Sequence, residues 1–236
     1  MKVRFNRTAL QDALSLVTSI IPSRTPKPIL QCMKIVADKD VVRLCATDME
    51  AGITYTVTQV EVDKAGEAVV PADKFSSIVR ESFDEVIELQ TAQNSAPLNG
   101  SHSFFTRYTP DPTQYPTVPG FDGNADIEVG LDRLQEAIGQ TVFAAAKEST
   151  RYALNGILWE VHGKKLALVA TDGRRLAKST LPLDKASREP EGRIIAPCKT
   201  MLLLEKIPAR DKATVSLRFV DNHITIACDP VVISSN

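Results

Sequence analysis

Three observations predict an α+β protein built from two similar tandem units, each with two helices packed on antiparallel sheets. The chain repeats itself without a gap when slid by 124 residues, from Leu10–Asp48 onto Leu134–Asp172. Each copy runs from an amphipathic helix into β-rich segments and then into a second, shorter helix. With 236 residues, 43% hydrophobic and 24% charged, the chain can bury the cores of two ordinary domains. Eight of the 39 superimposed positions are identical (Leu10, Gln11, Ala13, Leu30, Leu44, Ala46, Thr47 and Asp48 with their partners), against about 2 or 3 expected from composition.

The elements follow from periodicity. A short strand at Val3–Phe5 leads into a helix whose Leu10, Ala13, Leu14, Val17 and Ile21 share one face, with Thr8, Asp12, Ser15 and Ser19 turned away. Strands are predicted at Ile29–Val36, Val41–Ala46 and Ile53–Val60. A second helix spans Asp73–Glu81 with Phe75, Ile78 and Val79 inward, and strands follow at Val86–Gln90 and Ser103–Tyr108. Each unit is thus two strand-helix-strands passes. The segment Val69–Lys74 is similar to Ile194–Lys199, and VIELQ at Val86 to TVSLR at Thr214. The second copy stops at the equivalent of Tyr108, so it is expected to be cut short and the chain to be part of something longer. Similar units joined with a constant rotation form an arc, with the helices expected along its concave side.

Charge and cysteine usage narrow the function. Lys plus Arg number 28 and Asp plus Glu 29, so any polyanion site must be local rather than a general excess of cations. No segment approaches the ~20 apolar residues of a membrane span, nor does the start hold the apolar core of a secretion signal, and a cytoplasmic chain without membrane contact is the expectation. Cys32, Cys45, Cys198 and Cys228 have neither zinc-site nor disulfide-framework spacing and are expected to be interior small hydrophobes. His102, His162 and His223 lack HExxH spacing or a nucleophile partner, and neither a Walker loop nor GxGxxG occurs. Catalysis, cofactors and metals are therefore not expected.

RYALNGILWEV (Arg151–Val161) followed by LALVATDGRRLAKS (Leu166–Ser179) resembles the middle domain of the bacterial DNA polymerase III beta subunits, the sliding clamps. MKVRFNRTALQDAL, PKPILQCMKIVA, ATDME, VVPADKF and the QYP of the long connection resemble that family's first domain. The resemblance covers essentially the whole chain. It implies the DNA-clamp fold, with domain I over residues 1–122 and domain II over 123–236, the latter truncated and a third domain absent. It further implies a non-catalytic processivity factor: a head-to-tail homodimer when full length, closed around double-stranded DNA. Its partners would be the replicative polymerase, the clamp loader and other proteins carrying clamp-binding peptides.

Two sets of residues follow from the resemblance. Arg24, Lys27, Lys147, Arg151 and Tyr152 gather at the matching connection of the two copies and are candidates for DNA contact; the resemblance implies Arg24, Arg151 and Tyr152 on the DNA backbone, although Ala153 stands where members often carry a second tyrosine. Lys74, Arg80 and Lys199, with Lys206 nearby, lie on or beside the second helices, where a surface cation commonly does no more than solvate its helix. Phosphate contacts carry no sequence information and so permit sliding. The second set, Leu154, Thr171, Gly173, Arg174, Arg175 and Leu176, is implied as half of an apolar pocket for a short linear peptide. The plainer reading of TDGRRL is a β-turn held by Asp172. The matching ATDMEAG of the first copy, without the glycine and arginine pair, favours a structural role for Thr47 and Asp48. A repeat-built protein adaptor that never touches DNA is the rival class, since near-neutral charge suits it too.

Overall fold

The computed structural model describes residues 1–91, 98–99, 104–105, 110–147, 154–186, 193–208, 210, 212–220 and 223–235. They form two compact units, Met1–Val118 and Pro119–Asn236.

In the first unit, β1 (Lys2–Asn6) leads directly into α1 (Arg7–Val17). The Asn6 side chain accepts the Ala9 N–H at 3.1 Å, satisfying one of the amides a helix leaves unpaired at its start. Leu10, Ala13, Leu14 and Val17 are buried as the periodicity predicts. Ile21 is not: a 3₁₀ turn over Thr18–Ile20 follows α1, and its tighter winding buries Ile20 and leaves Ile21 half-buried. Ser19 is also half-buried, its hydroxyl donating to the Leu16 carbonyl at 2.6 Å.

Beyond a further 3₁₀ turn at Pro28–Gln31 come β2 (Cys32–Ala37), β3 (Val42–Thr47) and β4 (Ala51–Val57). The strand expected from Ile29 therefore starts at Cys32, because Pro28, with no N–H and a fixed φ, opens a helical turn instead. The single strand expected over Ile53–Val60 is two. The chain leaves β4 at Val57 and re-enters as β5 (Val60–Lys64), which pairs with β1 in the other sheet. No glycine or proline punctuates TVTQV, so the break has no local signature. The unit continues with β6 (Gly66–Pro71), α2 (Ala72–Glu81) with Phe75 and Val79 buried, β7 (Val86–Gln90), β8 (Leu98–Asn99) and β9 (Phe104–Phe105). The rest of the strand expected over Ser103–Tyr108 lies outside the described residues.

All pairings are antiparallel, and the strand orders are β5-β1-β7-β8-β9 and β4-β3-β2-β6. The two passes exchange their leading strands: β1 precedes α1 yet pairs with β7, and β6 precedes α2 yet pairs with β2. Neither half of the unit can therefore complete its sheets alone. The helices pack against each other, α1 on β3 and β4 and α2 on β2 and β6, so both cover one face of the same four-stranded sheet. The Tyr115 hydroxyl donates to the Cys32 carbonyl at 3.1 Å, among Ile29, Val69 and Val118, and pins the connecting segment to the edge of that sheet.

The second unit repeats the plan with β10 (Ile127–Gly130), α3 (Leu131–Gly139), β11 (Gly156–His162), β12 (Lys165–Thr171), β13 (Leu176–Pro182), β14 (Lys185–Ala186), β15 (Arg193–Pro197), α4 (Cys198–Glu205), β16 (Thr214–Val220), β17 (His223–Cys228) and β18 (Val231–Ser235). Its pairings run β14-β10-β16-β17-β18 and β13-β12-β11-β15, strand for strand as in the first. Register confirms the offset: Ile35 pairs with Leu44, and Trp159 with Leu168, each 124 residues on. The repeated identities Leu10, Leu44 and Ala46 are buried with their partners Leu134, Leu168 and Ala170, so the duplicated residues are core.

Further along, the offset changes. Pro71 faces Cys32 and Pro197 faces Gly156, so Pro71 matches Pro197 rather than Ala196. Lys199 therefore stands at the place of Asp73, and Lys74 at that of buried Thr200. The apparent lysine match between the copies is a one-residue slip of the sequence reading. Cys32 and Cys228 are buried, while Cys45 and Cys198 are only half-buried.

Candidate functional site

The best-organised candidate is the turn from β12 into β13. Thr171 is the last residue of β12 and pairs across the ladder with Leu176, the first of β13. Between them the Thr171 hydroxyl donates to the Arg175 carbonyl at 2.6 Å and accepts the Gly173 N–H at 3.1 Å. Asp172 Oδ1 accepts the N–H groups of Arg174 and Arg175, both at 3.0 Å, while its Oδ2 takes the Arg175 Nε at 3.0 Å. The Arg174 and Arg175 amides, with the Arg175 guanidinium, hold the Asp172 carboxyl below its usual range. A lowered folded pKa contributes stability above the unfolded value and loses it as pH falls through the folded one, so the Asp172 bonds persist to a lower pH than an ordinary aspartate's would.

The same bonds recur in the first unit. Thr47 donates to the Ala51 carbonyl at 2.7 Å and accepts the Met49 N–H at 3.0 Å, and Asp48 Oδ1 accepts from Glu50 and Ala51 at 3.0 and 2.8 Å. Met49 (φ 81°) even adopts the left-handed conformation of Gly173 (φ 88°). Thr-Asp is thus a turn scaffold common to both copies. A Cβ at Gly173 would meet nothing within 4 Å, so Gly173→Ala tests backbone strain alone. It should cost about 1 kcal/mol and Met49→Gly should gain up to about 1 kcal/mol in urea unfolding. Equal and zero effects would mean that the two turns do not hold these conformations.

The copies differ in what surrounds the scaffold. A 3₁₀ turn over Val142–Ala144 lies against β12 and presents Phe143, 57% exposed, with the Arg175 guanidinium 5.7 Å above its ring. Leu176 is 66% exposed. Leu154 is half-buried, and its carbonyl accepts the Ala146 N–H at 2.9 Å, which ties it to the residues just after that 3₁₀ turn. At the same offset the first unit has Ser19 for Phe143 and Gly52 for Leu176. Two exposed apolar side chains therefore distinguish the second turn. Sequence reading missed Phe143, whose only signal is an isolated aromatic in TVFAAAK; the fold places it beside Arg175 at this turn.

The cations are less concentrated. Arg24 and Lys27 are exposed on the segment between the 3₁₀ turns Thr18–Ile20 and Pro28–Gln31, which is held by Gln31 Nε2 on the Ser23 carbonyl (3.0 Å) and the Lys27 N–H on the Thr25 hydroxyl (3.2 Å). Lys74 and Arg80 are exposed on α2, with Arg80 3.7 Å from Glu81, whereas Lys199 is half-buried on α4. Lys147 is exposed; Arg151 and Tyr152 lie outside the described residues. No helix among the described residues is long and apolar enough to cross a membrane.

Comparison with known proteins bears on both units. The DNA polymerase III beta subunit N-terminal domain family matches residues 1–119, and the central domain of the same subunit matches residues 128–236. The chain belongs to the DNA polymerase III beta subunit family. The beta sliding clamp of Pseudomonas aeruginosa is 30% identical over 225 residues, covering 95% of this chain and 61% of that protein. That of Staphylococcus epidermidis is 29% identical over 232 residues, with the same coverage. The DNA polymerase sliding clamp of Bacillus subtilis superposes with a TM-score of 0.94 at 26% identity, and the P. aeruginosa subunit with 0.92 at 28%; each comparison covers 100% of this chain and 64% of the other. The chain thus spans under two thirds of the length of these beta subunits.

Proposed function

We propose that this chain supplies two domains of a DNA sliding clamp, a non-catalytic processivity factor that encloses duplex DNA and tethers a replicative polymerase and other clamp-binding proteins. The observation that carries the reading is the duplicated unit, with its exchanged leading strands, matched in both copies by domains of one clamp subunit. A tether that must travel over any sequence cannot depend on base-edge contacts, which discriminate by about 1–3 kcal/mol each. Enclosure needs no such contacts, and scattered phosphate-directed cations suffice to centre the duplex.

In this reading two such subunits close head to tail. Arg24, Lys27, Lys74, Arg80, Lys147, Arg151, Tyr152 and Lys199 are the residues that contact the duplex backbone. The turn at Thr171–Leu176, with Leu154 and the added Phe143, forms one wall of a groove for a partner's short peptide. Arg174 and Arg175 meet that peptide's polar atoms. Reversing Arg24 and Lys27 together to glutamate in the complete protein should lower clamp retention on DNA several-fold in pull-down at ~50 mM salt and leave peptide titration unchanged. Unaltered retention at low salt would remove these two cations from the DNA-facing set.

A further inference from the structure

The two arginines of the turn from β12 into β13 are in different electrostatic states. Arg175 has its Nε on Asp172 Oδ2 at 3.0 Å and its guanidinium over the Phe143 ring, so its charge is already balanced. Arg174 has only its N–H on Asp172 Oδ1, at 3.0 Å; its side chain is exposed and has no ion-pair partner among the described residues. Two residues beyond Leu176, Lys178 is exposed and likewise has no ion-pair partner among them. Alternation along β13 sets Leu176 and Lys178 on one face, about 7 Å apart. Ser179 lies on the other face, where its hydroxyl donates to Gln140 Oε1 at 2.7 Å at the end of α3, so the face of Leu176 and Lys178 is turned away from that helix.

The first copy shows that the turn does not need these cations to fold. Thr47 pairs with Gly52 and Cys45 with Thr54, just as Thr171 pairs with Leu176 and Val169 with Lys178. At this offset Glu50 stands for Arg174, Gly52 for Leu176 and Thr54 for Lys178, while the bonds of Thr47 and Asp48 are kept. One scaffold thus carries a carboxylate, a bare backbone and a hydroxyl in the first unit, and an apolar side chain between two unpaired cations in the second.

We propose that this turn selects partner peptides that carry carboxylates on both sides of their apolar anchor, with Arg174 and Lys178 as the residues that select them. The proposal rests on the reading of the turn as a peptide wall and names the chemistry of its occupant. An anchor seated on Leu176 brings the residues before and after it within reach of the two cations, and a charge-assisted bond to a carboxylate is stronger than one to a neutral amide. A peptide with flanking lysines meets like charge and is rejected. Arg175, already balanced by Asp172, adds no preference of this kind.

The test is fluorescence anisotropy on the complete protein with three labelled short peptides, each with a central Leu-Leu pair flanked on both sides by Asp-Asp, Asn-Asn or Lys-Lys. At ~50 mM salt the Asp peptide should bind about fivefold tighter than the Asn peptide and the Lys peptide weakest, with the preference shrinking at about 0.5 M salt. In the double variant Arg174→Gln, Lys178→Gln the ratio of Asp to Asn affinity should fall to about one. Both side chains are exposed, so the melting temperature should not move. Equal wild-type affinity for the Asp and Asn peptides, with both lost in Leu176→Glu, would overturn the proposal and leave the peptide wall standing. An Asp preference that survives in the double variant would overturn it as well, by placing the selection elsewhere. Failure of all three peptides to bind the wild-type protein would remove the peptide wall and the proposal together.

Discussion

Replacing Trp159 by alanine is expected to destabilise the second unit by about 3–5 kcal/mol. The indole is fully buried in β11, flanked on the same face of the sheet by Leu168 of β12 and Ile194 of β15. Its Nε1 donates to Met201 Sδ of α4 at 3.3 Å, so the ring joins the four-stranded sheet to the second helix. Truncation would leave a cavity between elements that close packing holds in place, and neither neighbour can collapse into it without breaking a ladder. The first unit fills the equivalent position with Ile35, also fully buried. Ile35→Val should therefore cost only about 0.5–1.5 kcal/mol. Hydrogen exchange separates the two effects: Trp159→Ala should strip protection from β11, β12 and β15 more than from β2, β3 and β6. A loss below about 1 kcal/mol would mean that this core tolerates a void of indole size.

Leu176→Glu is expected to leave stability within about 0.5 kcal/mol, because the side chain is 66% exposed, and to abolish most peptide binding. An apolar anchor that buries a leucine contributes about 1.5–3 kcal/mol, and a carboxylate in its place adds a desolvation cost. The expected loss is on the order of 10–100-fold in affinity for a short peptide with apolar anchors, read by isothermal titration with the unaltered turn as reference. Phe143→Ala should weaken binding in the same direction, since Phe143 and Leu176 are the two apolar groups that the first unit lacks. Wild-type affinity in both variants would place the peptide elsewhere.

The repeat made the fold legible because the residues it preserves are the ones that pack. Leu10 and Leu134, or Leu44 and Leu168, keep their identity since each fills the same volume in its own unit. Less legible were features governed by hydrogen bonds rather than by apolar period. The β4 to β5 transfer between sheets is written in partners far along the chain, Phe5 with Val60, and no turn residue announces it. The slip that matched Lys74 with Lys199 arose because VVPADK and IIAPCK align by lysine in sequence but by proline at the helix start in space.

The candidate peptide wall was legible in part for a similar reason. Thr171, Asp172 and Gly173 form a local turn, and local turns can be read from residue type. Phe143 reaches the wall through the 3₁₀ turn after α3, a tertiary placement that an alanine-rich run does not signal. The exchanged leading strands are likewise a property of pairing, visible only when β1 meets β7 and β6 meets β2.

Retention of the complete protein on nicked circular DNA, before and after the circle is cut, tests the central claim most directly. Enclosure predicts that clamps loaded on the circle survive a wash at about 0.5 M salt, where phosphate contacts between exposed charges are largely screened, and run off once the DNA is linearised. Retention that is the same on circular and linear DNA, or that vanishes with salt on both, would contradict it.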